Sequence, residues 1–158
     1  MSAGDTASFE PRVLAFCCIY CAYAAADVAG VTNRSYPESV RVVRVPCTGR
    51  IGETDLISAF ESGVDGVLVM GCLDGQCNYK TGNVMAKKVV RSVKTLLDST
   101  GLGSGRLEYH MVSASMGRQF ADIVTEAVGR FKAIGPSPLG VPAQHEPQAA
   151  LPADADRR

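Results

Sequence analysis

The sequence predicts an α/β protein with a small doubly wound, flavodoxin-like sheet of four parallel strands and helices on both faces. Short apolar runs alternate with segments of helical period in the order βαβαβαβα, and such alternation is typical of parallel sheets covered by helices. The run at 66–70 (GVLVM) is apolar throughout, as expected of a central strand that is buried on both faces. Four strands joined by right-handed crossovers favour the spatial order 2-1-3-4.

The first strand, the first helix and the second strand occupy the start of the domain. Residues 12–17 (RVLAFC) are mostly apolar and predict a short buried strand. Residues 21–29 are rich in alanine, which favours a helix, and Gly30 is placed to end it. Residues 40–45 (VRVVRV) are β-branched at most positions and predict the second strand.

The second helix leads into the central strand. Thr54 or Asp55 can cap this helix at its N-terminus, and Gly63 can close it. Its apolar face is formed by Leu56, Ile57 and Phe60. The central strand at 66–70 follows directly, which completes the second helix–strand unit.

The second half adds a long helix, the fourth strand and a final helix. Asn83 opens the long helix, which runs to about Leu97, and residues 107–112 predict the fourth strand. Ser115 can cap the final helix. The apolar residues of that helix follow the helical period closely and are Phe120, Ile123, Val124, Ala127, Val128 and Phe131.

Composition separates one folded domain from its two ends. We expect a flexible N-terminus at 1–11, a folded domain at 12–135 and a disordered tail at 136–158. The tail holds five of the eight prolines and has no apolar periodicity, so it has no face to bury. The domain is long enough to enclose a hydrophobic core of its own.

Charge and hydropathy exclude two classes of partner. The 16 basic residues balance the 16 acidic residues, and binding of nucleic acid requires a basic face, so we expect no nucleic-acid partner. No run of about 18 apolar residues is present, so we expect no membrane span. The first residues lack the basic start and apolar stretch of a signal peptide, which favours a cytoplasmic location.

Cysteines are the most informative residues of the chain, because they cluster where predicted strands run into helices. The carboxyl ends of parallel strands lie side by side, so we expect these thiols in one pocket. Cys17 lies inside the apolar first strand and is interpreted as a core residue. The other five are the candidate metal ligands: Cys18, Cys21, Cys47, Cys72 and Cys77.

Thiols gathered in one pocket suit several kinds of chemistry. An iron–sulfur cluster is usually held by four cysteine thiolates, and helix N-termini at the same edge would stabilise an anionic cluster. A structural zinc site also takes four such ligands. A thioredoxin-like redox pair has the C-x-x-C spacing of Cys18 and Cys21, but it leaves the other three cysteines unexplained. Structural disulfides are disfavoured in a reducing cytoplasm.

The ordered set of motifs in this chain resembles the delta subunit of methyl-viologen-reducing hydrogenases. The resemblance runs from about Arg12 to Phe131. Its motifs are CCIYCAYAAAD at 17–27, RVPCTGR at 44–50, DGVLVMGC at 65–72, GN at 82–83 and SAS at 113–115. The resemblance implies an iron–sulfur electron carrier with a [2Fe–2S] cluster. It also implies a heterodisulfide-reductase-type flavoprotein as one partner, and hydrogenase subunits or another electron-input module as the other.

The chain departs from the family pattern in the surroundings of its cysteines. Leu73 and Asn78 stand where the family commonly has histidines, and Gln76 replaces an aspartate. Met116 stands where the family has a glutamate. The cysteines themselves are retained, so the resemblance still implies a cluster, in altered surroundings.

We therefore expect an iron–sulfur electron-transfer subunit that passes electrons between a hydrogenase or other electron-input module and a heterodisulfide-reductase-type flavoprotein. The sequence contains no Gly-x-Gly-x-x-Gly or P-loop pattern and no evident catalytic triad, so we expect no catalysis by the chain alone. The alternative is a cytoplasmic thiol-redox protein or a zinc-stabilised binding module. The segments at 72–83 and 113–116 are the expected contacts with partners.

Overall fold

The computed structural model describes residues 9–140, which form one sheet of four parallel strands. The strands are β1 (Val13–Cys18), β2 (Val40–Val45), β3 (Gly66–Gly71) and β4 (Leu107–Met111). Their order in the sheet is β2-β1-β3-β4, and each neighbouring pair is parallel. The predicted α/β class, the parallel sheet and the strand order are confirmed.

Helices cover both faces of this sheet, as the sequence predicts. They are α1 (Ala22–Val31), α2 (Glu53–Glu61), α3 (Gly82–Ser99) and α4 (Gly117–Ile134). α1 and α4 pack against each other on one face, whereas α2 and α3 pack on the other. Short 3-10 turns at Thr48–Arg50 and Ser104–Arg106 precede α2 and β4.

Strand β3 lies in the middle of the core and contributes to both faces. Val67 and Val69 pack against the side chains of α2 and α3. Leu68 and Met70 pack against those of α1 and α4. Every residue of β3 is buried, which explains why its sequence shows a continuous apolar run rather than an alternating pattern.

Helix α2 is capped from within its first turn. The Gly52 N–H donates a hydrogen bond of 2.7 Å to Asp55 Oδ2, so the carboxylate satisfies a backbone group from the third helical position. The helix therefore begins at Glu53, so Thr54 and Asp55, the two expected N-caps, lie inside its first turn. Gly63 closes α2 as predicted, in the left-handed conformation with φ of 89°.

Two other helix ends also differ from the sequence expectation. α1 continues through Gly30, and the left-handed residue that follows it is Asn33, with φ of 52°. α4 begins after Met116 rather than after Ser115. The hydroxyl of Ser115 lies 3.2 Å from that of Ser113, so it is engaged inside the preceding turn and caps no helix.

Asp65 joins the two ends of the described chain. One of its carboxylate oxygens accepts the Arg12 N–H at 2.8 Å, and the other accepts the Ser137 N–H at 2.7 Å. The buried guanidinium of Arg106 donates to the carbonyl of Pro136 at 3.1 Å. The chain after α4 is thus attached to the domain through at least Ser137.

Of the tail expected at 136–158, the structure describes residues 136–140, and Pro136 and Ser137 form hydrogen bonds with the domain. The rest of that expectation, and most of the flexible N-terminus expected at 1–11, lies outside the described residues. Within residues 9–140, no helix has both the length and the apolar character needed to cross a membrane.

Candidate metal centre

The five candidate cysteines all lie at the carboxyl edge of the sheet. Cys18 ends β1, Cys21 directly precedes α1, and Cys47 precedes the 3-10 turn that follows β2. Cys72 follows β3, and Cys77 lies in the loop between β3 and α3. All six cysteines of the chain are free thiols in the structure.

Cys17 is separate from this group. Its side chain is fully buried in the core between the sheet and helices α1 and α4. Burial raises the pKa of the Cys17 thiol to about 12, because the thiolate would lose its hydration there. The structure thus places Cys17 in the core, where the sequence analysis puts it.

Three of the sulfurs form a compact trio. The Sγ atoms of Cys18, Cys21 and Cys72 all lie within 4.8 Å of one another. The distance from Cys18 Sγ to Cys72 Sγ is 3.8 Å. A tetrahedral metal with metal–sulfur bonds of about 2.3 Å holds its sulfurs about 3.8 Å apart. The trio therefore fits the spacing of thiolates around one metal ion.

The other two sulfurs form a pair beside Gly82, the first residue of α3. A Cβ on Gly82 would lie 2.3 Å from Cys47 Sγ and 3.1 Å from Cys77 Sγ. A Cβ on Gly49 would in turn lie 2.7 Å from the Gly82 Cα. The two backbones touch, and only glycines allow this approach, so Gly49 and Gly82 bring the thiols of the pair together.

Backbone and amide groups hold the two cysteine loops in place. The Gly49 N–H donates to Cys47 Sγ at 3.4 Å. The buried Asn83 side chain donates to the carbonyls of Cys72 and Leu73, at 3.3 and 3.2 Å. Asn83 therefore ties the loop after β3 to the start of α3, which fixes the trio relative to the pair.

Hydrogen bonds decide which thiols ionise most readily. The Cys21 thiol lowers the pKa of Cys18 to about 6, with help from backbone N–H groups and against the effect of burial. The pKa of Cys77 is also lowered: burial acts to raise it, but N–H groups at the start of α3 outweigh burial. The pKa of Cys21 is raised by its hydrogen bond to Cys18. Burial raises the pKa values of Cys47 and Cys72.

The hydroxyl of Tyr109 lies beside the site without a partner among the described residues, although it is buried. It occupies the space next to Gly71, where an added Cβ would lie 2.5 Å from it. Burial raises the pKa of Tyr109, and the negative charges of Cys21 and Cys72 raise it further. An unused O–H donor near the thiols fits an anionic centre.

Two clefts reach the cysteines from the surface. The first has a volume of about 350 Å³ and is lined by Cys47, Gly82 and Tyr79, among others. The second has a volume of about 420 Å³ and is lined by Cys21, Cys72 and Tyr20, among others. The rings of Tyr20 and Tyr79 meet edge to face with centroids 5.9 Å apart, so an aromatic pair stands between the clefts.

Sequence reasoning found the cysteines but missed three residues that position them. Gly49, Gly82 and Asn83 occur in the quoted motifs, yet neither their backbone contact nor the buried amide was anticipated. One signal was available, because glycine is a poor helix former and has no evident reason to open a long helix such as α3. In the structure, glycine is required at position 82 because its backbone touches the backbone of Gly49.

The fold and the cysteine arrangement define a small α/β protein with a thiol-lined candidate metal centre at the carboxyl edge of its sheet. Over residues 13–135 the chain matches the family described as methyl-viologen-reducing hydrogenase, delta subunit. The chain belongs to this family, which confirms the resemblance noted from its motifs.

Curated relatives agree with this assignment. The chain is 42% identical over 130 residues to the vhu iron–sulfur subunit of the F420-non-reducing hydrogenase of Methanocaldococcus jannaschii, and the match covers 82% of this chain and 97% of the relative. It is 39% identical over 128 residues to the iron–sulfur subunit of the F420-non-reducing hydrogenase of Archaeoglobus profundus, covering 81% of this chain and 93% of the relative.

A third relative comes from a different enzyme. The chain is 40% identical over 126 residues to a subunit of the ferredoxin:CoB-CoM heterodisulfide reductase of Methanosarcina mazei, covering 80% of this chain but 16% of the relative. The chain is therefore related both to hydrogenase iron–sulfur subunits and to one segment of a heterodisulfide reductase polypeptide.

Proposed function

We propose that this chain is an iron–sulfur electron-transfer subunit whose cysteines hold a [2Fe–2S] cluster. The observation that carries the proposal is the convergence of five cysteine sulfurs, from three separate strand ends, into the trio and the pair. A [2Fe–2S] cluster has two irons, each of which takes two protein thiolates. Two spatially separate groups of thiols suit such a centre better than a single zinc ion with four equivalent ligands.

The grouping of the sulfurs suggests how the ligands divide. Cys47 and Cys77 would hold one iron, and two of the trio (Cys18, Cys21 and Cys72) would hold the other. Cys18 and Cys77 ionise most readily, so each group contributes one thiol whose proton is easily lost. The fifth thiol would remain as a spare near the cluster.

The chain's own groups prepare the edge for an anionic centre. Peptide N–H groups at the start of α3 point toward Cys77, and the Gly49 N–H points toward Cys47. Hydrogen bonds to sulfur also set the reduction potential of such centres. When bound, a [2Fe–2S] cluster supplies reversible one-electron transfer, and the buried thiols keep most water away from it.

The proposed partners are a hydrogenase or another electron-input module on one side and a heterodisulfide-reductase-type flavoprotein on the other. Relatives of nearly the same length are named as iron–sulfur subunits of a hydrogenase. Another relative carries a matching segment within a heterodisulfide reductase polypeptide. We place the protein in the cytoplasm, where its free thiols would stay reduced.

Metal analysis tests this function directly. Protein purified without oxygen should be brown and contain equal amounts of iron and acid-labile sulfide. After reduction, it should show the electron paramagnetic resonance (EPR) signal of a [2Fe–2S] cluster. Serine substitution of each of the five cysteines in turn should lower iron content for the ligands and leave it unchanged for the spare thiol. Colourless protein with one bound zinc would overturn the proposal in favour of a zinc-stabilised binding module.

A further inference from the structure

The cleft beside Cys47 brings the surface close to the sulfur pair. Cys47 and Gly82 form part of its lining, together with Arg50 and Met85. Cys77, whose sulfur also lies beside Gly82, is the one cysteine that is not fully buried. A partner seated in this cleft would therefore lie beside the sulfur pair.

The rim of this cleft is apolar and open to solvent. Tyr79 and Met85 line the cleft and are 54% and 49% exposed, and the neighbouring Val84 is 44% exposed. Large apolar side chains grouped in this way are typical of protein interfaces, which are enriched in tyrosine, methionine and arginine. Solvent exposure of these side chains is unfavourable, and a partner would remove it.

Two cations accompany the apolar rim. Arg50 lines the cleft, and Lys80 lies between the lining residues Tyr79 and Thr81. Neither forms a salt bridge with any residue in the described part of the chain. The carboxylate that lies closest along the chain to Arg50 belongs to the exposed Glu53, which forms no salt bridge with it. The next carboxylate, that of Asp55, accepts the Gly52 N–H. The positive charges are thus available to an acidic surface.

The second cleft has a different character. Its lining contains polar and apolar side chains, among them Tyr20, Leu73, Gln76 and Ser113, and no charged residue. An acidic partner would therefore gain no favourable charge contact at that cleft. The first cleft thus has a positively charged residue in its lining and the second has none. Because electrostatic complementarity selects partners and speeds their encounter, an acidic partner would favour the first cleft.

From these observations we infer that the cleft beside Cys47 is the docking surface for an acidic protein partner, which places carboxylates against Arg50 and Lys80 and an apolar side chain against Tyr79 and Met85. The inference rests on the proposed function and deepens it. Of the two proposed partners we assign the heterodisulfide-reductase-type flavoprotein to this cleft, because a relative carries the matching segment within a heterodisulfide reductase polypeptide. A bound cluster would supply one electron to the flavin in each encounter, so two encounters, with two protons from solvent, would complete the two-electron reduction of the flavin.

The test uses the cluster-loaded protein and the purified flavoprotein of its native complex. The reduced chain is mixed with oxidised flavoprotein, and flavin reduction is followed by stopped-flow absorbance. The double variant R50E/K80E should slow the second-order rate at least tenfold at about 0.01 M salt, where charges act over about 30 Å. Near 1 M salt, where the range falls to about 3 Å, the difference should shrink to less than about twofold.

Two further variants separate the contributions. The double variant R34E/R41E makes the same change of charge on exposed arginines outside the cleft, and it should leave the rate within about twofold of wild type. Met85→Ser should lower the rate at both salt concentrations, because it removes apolar contact rather than charge. Iron content and EPR spectrum should match wild type in every variant. The reduction potential is measured for each variant, so that a rate change caused by an altered driving force is separated from a loss of docking.

Equal rates for wild type and R50E/K80E at low salt would overturn the docking surface while leaving the cluster assignment intact. An equal loss in R34E/R41E would also overturn it, since the effect would then follow net charge rather than position. Failure of the proposed function gives a different result, because wild-type protein would then contain no iron and reduce no flavin.

Discussion

Replacement of Gly82 by alanine is expected to abolish cluster loading without unfolding the domain. The new methyl group would lie 2.3 Å from Cys47 Sγ and 3.1 Å from Cys77 Sγ. Non-bonded contacts of this kind need at least about 3.5 Å, so the Cys47 sulfur must move by more than about 1 Å. Ligand positions in metal sites tolerate changes of about 0.2 Å. The pair can then no longer hold one iron.

The effect of Gly82→Ala on folding should be small by comparison. Overpacking costs about 1–3 kcal/mol, whereas alanine is favoured over glycine in a helix by about 1 kcal/mol. We therefore expect a net loss of up to about 2 kcal/mol in the free energy of unfolding, well within the stability of an ordinary domain. Circular dichroism should show an unchanged helix content.

A matched control is available on α4. An alanine methyl at Gly129 would meet no atom within 4 Å, so Gly129→Ala should keep full iron content and gain up to about 1 kcal/mol. The assay is iron and acid-labile sulfide per protein after purification without oxygen, with EPR of the reduced protein. Full iron and an unchanged EPR spectrum in Gly82→Ala would refute the assignment of Cys47 and Cys77 as paired ligands.

Two predictions concern stability. Glu108 is mostly buried; burial acts to raise its pKa, but hydrogen bonds of 2.7 Å from Arg130 lower the pKa to about 2. The stabilisation is complete above about pH 4.5, the ordinary value, and is lost as pH falls toward 2. Glu108→Gln should thus cost about 2 kcal/mol at pH 7, allowing for solvent screening at half-exposed Arg130, and less at pH 3 in urea unfolding. An equal loss of unfolding free energy in Glu108→Gln at pH 7 and at pH 3 would contradict the link between the Glu108 pKa and stability. Tyr109→Phe should raise the free energy of unfolding of the metal-free protein by about 1 kcal/mol, since its buried hydroxyl has no partner among the described residues. A loss in thermal or urea unfolding would show that the hydroxyl is bonded.

Local pattern was sufficient to predict the architecture. The continuous apolar run of β3 reflects burial on both faces, and the alternation of strands and helices left few possible arrangements of the sheet. Helix ends were less predictable, because the groups that satisfy them lie elsewhere. Asp55 caps α2 from inside the helix, and Ser115 is engaged by Ser113. Sequence alone offers both residues as simple N-caps.

For the candidate site, sequence placed the cysteines at one edge of the sheet, because each follows a strand in a parallel fold. The sequence could not predict that the five sulfurs divide into a trio and a pair. That division depends on the contact between Gly49 and Gly82, which lie on different βα units. The proposed docking surface had only a partial signal in the sequence: the 72–83 segment was an expected contact, but Arg50, which lines the cleft, was not.

The sequence by itself determined the class of fold, the family and which residue types stand at the carboxyl ends of the strands, because these follow from local periodicity and from ordered motifs. Only the tertiary structure decided which sulfurs are neighbours and which cysteines line the two clefts. Distances between sulfurs of a few ångströms depend on how closely distant backbones approach. At Gly49 and Gly82 that approach follows from the absence of two side chains, and its consequence becomes visible only when the segments are packed together.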